Sequence, residues 1–270
     1  MVYKVRARNT SADSDNKIHD DQVAASYGFR GGLVPGVTVY AYMTVPLVER
    51  FAEAWLERGS MQVKFHLPFY DGDEAIIRTE VDAGSLPIKA TITAEREDGT
   101  VCATALATID DRSAWLGPAR LEDYPEGALP DPDARPVASP ENIQPGMLLG
   151  TVREKLDLRV VGATWLPKLD ERLEIYRGPD AVAYPFVLLV MANHALMSNF
   201  KLGPWIHAAT DLINWSAARD AEELAVRGRV RDRFERKGHE FVVLDLLVVA
   251  NGERVVQQVR HTAIYRPRQR

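Results

Sequence analysis

Cysteine and long apolar runs are scarce in this sequence. Only one of its 270 residues is cysteine, Cys102, so no disulfide can form within the chain. Cys102 lies in the apolar run TVCATALATI, which is typical of a buried strand and indicates a reducing compartment. No stretch approaches the ~18 apolar residues of a membrane span, and the first residues lack the apolar segment of a signal peptide. We therefore expect a cytoplasmic protein with no membrane partner.

Clusters of positive charge and of metal ligands are also lacking. The net charge is −5 and the lysines and arginines are scattered, which argues against nucleic acid as a partner. The six histidines are well separated, so no metal-ligand spacing is present and no metal is expected. The Gly-x-Ser-x-Gly turn of serine hydrolases and the Walker spacing of nucleotide-binding loops are both missing.

Proline is concentrated in one segment of the chain. Residues 116–150 contain seven of the sixteen prolines and show little apolar periodicity. This composition predicts a linker. It would separate an N-terminal unit of residues 1–115 from a C-terminal unit of residues 151–270.

The two units show the same order of patterns. In the first, GVTVYAYMTVPLVERFAEAWLERG has apolar residues at helical spacing and ends at Gly59, and four strand-like runs follow between Ser60 and Ile109. In the second, AVAYPFVLLVMANHALMSNF precedes four runs between Ile206 and Tyr265. The pattern predicts an α+β fold with an internal duplication, in which each long helix is wrapped by an antiparallel sheet.

The stretch DNKIHDDQVAASYGFRGGLVPGVTVYAYM predicts a short polar helix at residues 19–27, a glycine-rich turn and the start of the long helix. It resembles the signature of the MaoC-like enoyl-CoA hydratase/dehydratase family, Asp-x-Asn-Pro-(Ile/Leu)-His followed by a helix-opening His-Gly-Met. Asn16, Ile18 and His19 match that pattern, and Gly36 matches the helix-opening glycine. Ser14 stands where the family has its catalytic aspartate, and Lys17 replaces the proline.

This resemblance implies a tandem double hotdog fold and hydration or dehydration at the 2,3 bond of an acyl thioester. The implied catalytic residues are His19, Asn16 and a displaced carboxylate, for which Asp15 is ranked above Asp13. If residues 13–15 are extended, a local bulge or turn is needed to bring either acid into the site. A neighbouring carboxylate would raise the pKa of His19.

The substrate oxygen would bind the backbone N–H groups of Gly36 and Val37 at the start of the long helix. The resemblance implies no separate cofactor, because coenzyme A or phosphopantetheine is part of the substrate. An acyl carrier protein is one candidate partner. The two units would form a pseudo-dimer within one chain, and a further homodimer is left open.

Two alternative functions remain open from the sequence. The C-terminal run HAATDLINWSAA…RHTAIYRPR is similar to acyl-CoA thioesterase II, but that family's Asp, Ser/Thr and Gln are replaced at the approximate counterparts, which are His194 or Asn199, Ile213 and Arg260. A non-catalytic acyl-thioester binding protein is the second alternative, since Ser14 removes the family acid. The plain structural interpretation is that the polar DSDN segment caps a helix and that His194 is a core residue.

Overall fold

The computed structural model describes residues 1–111 and 117–268, so the predicted boundary between residues 115 and 116 lies outside the described residues. The first half contains a single-turn 3-10 helix at Lys17–His19. Its helices and strands are β1 (Val2–Arg6), α1 (Asp21–Ser26), α2 (Gly36–Phe51), α3 (Glu53–Arg58), β2 (Gly59–Phe65), β3 (Glu74–Val81), β4 (Ile88–Arg96) and β5 (Val101–Ile109).

The second half repeats this order with one longer helix near its start. Three further 3-10 turns lie at Leu121–Asp123, Pro132–Ala134 and Glu174–Tyr176. Its helices and strands are β6 (Val152–Lys155), α4 (Leu158–Lys168), α5 (Pro185–Met197), β7 (Ile206–Asn214), β8 (Glu223–Arg236), β9 (His239–Ala250) and β10 (Arg254–Arg266).

All ten strands form one antiparallel sheet in the order β1-β3-β4-β5-β2-β7-β10-β9-β8-β6. This order is symmetric about its centre, where β2 of the first half pairs with β7 of the second and Val63 lies opposite Thr210. The predicted duplication and the predicted joining of the two units through their sheets are therefore confirmed. The chain is a pseudo-dimer with a continuous sheet.

The long helices lie on one face of this sheet. Every residue of α2 from Val37 to Val48 is buried, which is the pattern of a helix enclosed on all sides. The β5 strand turns the small side chains of Ala103, Ala105 and Ala107 inward, while Leu106 points to solvent and is 60% exposed. Each half therefore wraps its helix with the inward face of its sheet, as predicted.

The segment at residues 117–150 covers the opposite face of the second half. Tyr124 packs against Leu247, Val249 and Val255, and its hydroxyl donates to Asp245 Oδ2 at 3.0 Å. This cover explains why β9 is apolar on both faces, whereas a sheet with one solvated face alternates apolar and polar residues. The proline-rich segment therefore contributes packing to the second half as well as joining the halves.

Several local features differ from the sequence-based expectation. The helix expected to continue to Gly59 is interrupted at Ala52, where a φ of 49° separates α2 from α3. Strands β1 and β6 and helix α4 were not predicted, because the two strands are short edge strands and α4 contains Gly162 and Pro167. In the described part of the chain, no helix combines the length and apolar character needed to span a bilayer.

Candidate functional site

Asn16 is fixed by backbone groups from the other half of the molecule. Its Oδ1 accepts from the Trp205 N–H at 3.0 Å, and its Nδ2 donates to the Trp205 carbonyl at 3.0 Å. Asn16 also caps the 3-10 helix by accepting from Ile18 N. Because the Trp205 pair sets which end of the amide is oxygen, the remaining N–H of Asn16 is directed at His19.

His19 has both ring nitrogens engaged. Its Nδ1 lies 2.7 Å from the Leu33 carbonyl, which can only accept, so Nδ1 carries the proton. Its Nε2 lies 3.2 Å from Asn16 Nδ2 and therefore presents a lone pair. Burial lowers the pKa of His19, and the Leu33 hydrogen bond opposes that shift only in part. The expectation that a carboxylate raises this pKa is therefore wrong, and the imidazole is neutral at pH 7.

The glycine-rich turn is shaped to hold this histidine. Gly32 passes so close to the His19 carbonyl that a Cβ atom there would lie 2.0 Å from the oxygen, so only glycine fits. The Gly32 N–H donates to Asp21 Oδ1 at 2.7 Å, and Asp20 caps α1 by accepting from Gln22 and Val23. The predicted turn thus places the Leu33 carbonyl within hydrogen-bonding distance of His19 Nδ1.

Two cavities meet at Asn16 and His19. The larger has a volume of about 970 Å³, and its charged lining includes Arg8, Asp13 and Lys168. The smaller has a volume of about 250 Å³ and is mostly apolar. Five residues line both: Asn16, His19, Pro35, Asn193 and Trp205. A ligand with a polar part and an apolar part can therefore extend from one cavity into the other past His19.

The start of helix α2 lies at the same junction. Gly36 lines the apolar pocket and Val37 lines the larger cavity. Within residues 1–111 and 117–268, neither of their N–H groups donates to another group of the protein. The N-cap residue is Pro35, which has no side chain that could accept from them. Two free donors at a helix N-terminus favour a negatively charged or polarised oxygen.

The acidic residues before Asn16 do not lie where the sequence suggested. Residues 10–15 form a turn rather than an extended segment, closed by the Ser14 N–H donating to the Ser11 carbonyl at 3.0 Å. Asp13 is exposed and lines the larger cavity together with Ser14. Asp15 is exposed and lines neither of the two cavities. The geometry therefore brings together Asn16, His19, Gly36 and Val37 but leaves Asp15 apart.

Solved structures with the same architecture were found, although no family model and no curated protein sequence matches the chain. A Chloroflexus aurantiacus protein described as a MaoC domain dehydratase aligns over 99% of this chain and 95% of its own, with a TM-score of 0.65 and 11% identity. A Mycobacterium tuberculosis protein described as having a double hotdog fold aligns over 98% and 95%, with a TM-score of 0.59 and 15% identity. A Lactobacillus plantarum protein described as an oleoyl thioesterase aligns over 99% and 96%, with a TM-score of 0.54 and 10% identity.

The chain has a double hotdog fold. At these identities the likeness establishes the architecture alone. The first structure is described as a dehydratase and the third as a thioesterase, so the architecture itself does not select the reaction. The reaction has to be argued from the side chains of this chain.

The second hotdog does not repeat the candidate site. The Leu33 N–H donates to the Ile18 carbonyl, and the corresponding Val182 N–H donates to the Ile175 carbonyl, so Tyr176 occupies the place of His19. Tyr184 and Pro185 similarly replace Pro35 and Gly36. The buried rings of Tyr176 and Tyr184 lie 4.9 Å apart, and Pro185 has no N–H to donate.

The double hotdog also brings in residues that sequence reasoning did not assign. Asn193 on α5 has a buried Oδ1 without a hydrogen-bond partner among the described residues, and it lines both cavities. Trp205 positions Asn16 from 189 residues away, a contact that no local motif reveals. Ile213 is only half-buried and Arg260 is exposed, and Arg260 pairs with Asp211 at 3.6 Å. Neither Ile213 nor Arg260 lines the cavities, whereas His194, the counterpart on α5, is half-buried and lines the larger cavity rather than the core.

Proposed function

We propose that the chain is a hydro-lyase that adds water to, or removes it from, the 2,3 bond of an acyl thioester. The observation that carries this proposal is the position of His19 and Asn16 at the junction of a polar cavity and an apolar pocket. In this arrangement the acyl chain occupies the pocket and the pantetheine arm, from coenzyme A or an acyl carrier protein, occupies the larger cavity. The thioester then lies beside the imidazole.

His19 serves as the acid and the base in turn. As a neutral imidazole it takes a proton at Nε2 from water, which replaces the Asn16 N–H as the partner of that lone pair, while the water oxygen bonds to carbon 3. The electron pair of the double bond moves towards the thioester, and the imidazolium then gives its proton to carbon 2. Water is thereby added with no net change in the protein. The Leu33 carbonyl, 2.7 Å from Nδ1, stabilises the imidazolium while it carries both protons.

The N–H groups of Gly36 and Val37 stabilise the enolate-like oxygen that forms between these two steps. This role matches their lack of protein partners and their place at the start of a buried helix. Pro185 at the corresponding position in the second hotdog cannot donate, so the proposed reaction has one site per chain.

A carboxylate is not required by this arrangement. The assignment of the displaced acid to Asp15 stays a prediction, and the cavity lining favours Asp13 over Asp15. We propose that Asp13 influences water at the rim of the larger cavity and that Asp15 is a surface residue.

The test is turnover of a panel of trans-2-enoyl-CoA thioesters, followed by loss of the absorbance of the conjugated thioester. We expect the wild-type protein to turn over at least one of these thioesters. His19→Ala should lose ~10²-fold or more of that activity, since general acid and base catalysis contributes that much. Release of free thiol is measured in parallel, because thiol release without loss of the double bond would indicate a thioesterase. Binding of the thioesters with neither reaction would favour the non-catalytic alternative.

The two aspartates provide a matched pair of controls in the same assay. Asp13→Asn and Asp15→Asn make the same chemical change at two exposed positions, one of which lines the cavity. We expect Asp15→Asn to stay within about twofold of wild type, as is usual for a surface substitution, and Asp13→Asn to lose more activity. An Asp15→Asn loss as large as that of His19→Ala would show that Asp15 supplies the acid.

A further inference from the structure

A second histidine, His207, lies in the wall of the apolar pocket. It is 6% exposed and lines the pocket together with Phe65, whose ring centroid lies 4.9 Å from its own. Its Nε2 lies 2.6 Å from Thr210 Oγ1. Its Nδ1 is buried and has no hydrogen-bond partner in the part of the chain that the structure describes. Buried polar atoms are normally paired, so this free nitrogen needs an explanation.

A bulge in β7 turns His207 towards the pocket. Thr262 of β10 pairs with Ala209 and Ala263 pairs with His207, which leaves Ala208 as an extra residue. In a regular strand, residues three apart point to opposite faces. The extra residue places His207 and Thr210 on the same face, where their side chains meet. Bulges of this kind commonly re-aim a side chain beside a binding site.

The free nitrogen is close to the start of helix α2. A Cβ atom on Gly36 would lie 3.0 Å from His207 Nδ1, and both residues line the apolar pocket. The ring also packs against that of His261, at a centroid distance of 4.3 Å. Burial and the neighbouring His261 lower the pKa of His207 well below its usual value, so the ring is neutral and suits an uncharged partner.

We propose that the apolar pocket selects an acyl group carrying an oxygen atom, hydroxyl or carbonyl, that hydrogen-bonds to His207 Nδ1. The inference rests on the proposed function, because it takes the pocket as the acyl site. His207 is then a specificity-determining residue that recognises a part of the acyl chain beyond carbons 2 and 3. A plain hydrocarbon chain leaves Nδ1 unpaired in the pocket wall, whereas an oxygenated chain pairs it.

The experiment measures equilibrium binding of saturated thioesters, which cannot undergo hydration. The probes are hexanoyl-CoA and its 4-, 5- and 6-hydroxy derivatives, since a hydroxyl group can pair with either tautomer of the ring. We expect at least one hydroxy derivative to bind the wild-type protein about tenfold more tightly than hexanoyl-CoA. Equal or weaker binding of all three would overturn the proposal.

Two variants separate the role of Nδ1 from that of the ring. His207→Phe keeps an aromatic ring without a hydrogen-bonding atom, and we expect it to lose the preference. His66→Phe is the matched control, because His66 lines the same pocket but is exposed and bonded to Thr104 Oγ1 at 2.8 Å. This control should keep the preference. Retention of the hydroxyl preference in His207→Phe would contradict the proposal even if that variant is less stable.

The outcome also distinguishes this inference from the proposed reaction. A hydroxyl preference in a protein that leaves every enoyl thioester unchanged would support the role of His207 and contradict the hydro-lyase. Normal turnover of enoyl thioesters without any hydroxyl preference would support the hydro-lyase and overturn the role of His207.

Discussion

At the scale of single residues, the environment of His19 determines how activity depends on pH. The pKa of its imidazole is lowered from 6.5 by burial, and the proposed base is the neutral form. Activity should therefore persist as pH falls through 6.5 and decline only below the lowered pKa, by about tenfold per pH unit. We expect a profile of kcat/KM against pH whose acidic midpoint lies below 6.5.

Acid unfolding has to be separated from this effect. His207 and His261 are also buried and neutral, and burial lowers the pKa of His261 to about 3. The unfolded chain binds these protons near pH 6.5 while the folded chain does not, so stability also falls as pH decreases below that value. Recovery of full activity after return to pH 7, and unchanged circular dichroism at the acidic midpoint, would assign the decline to His19. A midpoint above 6.5 would contradict the neutral base.

At the scale of elements, two helical glycines are expected to respond oppositely to the same substitution. A Cβ atom on Gly36 would lie 3.0 to 3.1 Å from three atoms of His207, and His207 is held by Thr210 and His261. Gly162 in α4 has open space around it. We expect Gly36→Ala to lower stability by about 1 to 3 kcal/mol, as overpacking does, and to reduce turnover at least tenfold by displacing the helix start.

Gly162→Ala is the matched control. Replacing glycine by alanine inside a helix removes conformational freedom from the unfolded chain, so a gain of about 0.5 to 1 kcal/mol is expected, with turnover unchanged. Chemical denaturation and enoyl-CoA turnover measured on both variants test the pair. A stabilised, fully active Gly36→Ala protein would show that the helix start tolerates movement and is not part of the site.

The same elements show what the sequence could and could not predict. Apolar spacing located α2, α5 and eight of the ten strands, because those elements each bury a face with a regular period. The break at Ala52 was missed, since alanine is a strong helix former that rarely adopts the positive φ found there. The short edge strands β1 and β6 give too little periodic signal.

Some residues of the candidate site could likewise be predicted from the sequence and others could not. His19, Asn16 and Gly36 lie in one local motif and were predicted from it. Trp205, which hydrogen-bonds to Asn16, and Asn193, which lines both cavities, belong to the second half. The position of His207 depends on a one-residue bulge. Register shifts and contacts across 189 residues leave no local pattern, so neither could be found from residue spacing. The turn at residues 10–15 also depends on local hydrogen bonds rather than on alternation, so residue spacing could not predict that Asp13 lines the larger cavity while Asp15 does not.

At the scale of the whole molecule, the two halves share one core and one sheet. The largest cluster of buried apolar residues includes Ile77 and Ile92 of the first half and Leu244 and Val259 of the second. The β2 and β7 strands pair at the centre of the sheet, so separating the halves would expose the edges of both strands. We therefore expect the chain to unfold as one cooperative unit, although domains usually unfold separately in chains of this length.

A substitution that creates a cavity in one half tests this expectation through its effect on hydrogen exchange in the other half. Leu244 is fully buried, so Leu244→Ala should cost about 2 to 5 kcal/mol. Hydrogen exchange followed by mass spectrometry should then show faster exchange in β4 of the first half as well as in β9, because global opening exposes both strands. Leu106→Ala is the control, since Leu106 is 60% exposed and its truncation should change stability by less than about 0.5 kcal/mol. Faster exchange confined to β8, β9 and β10 would show that the halves open independently despite their common sheet.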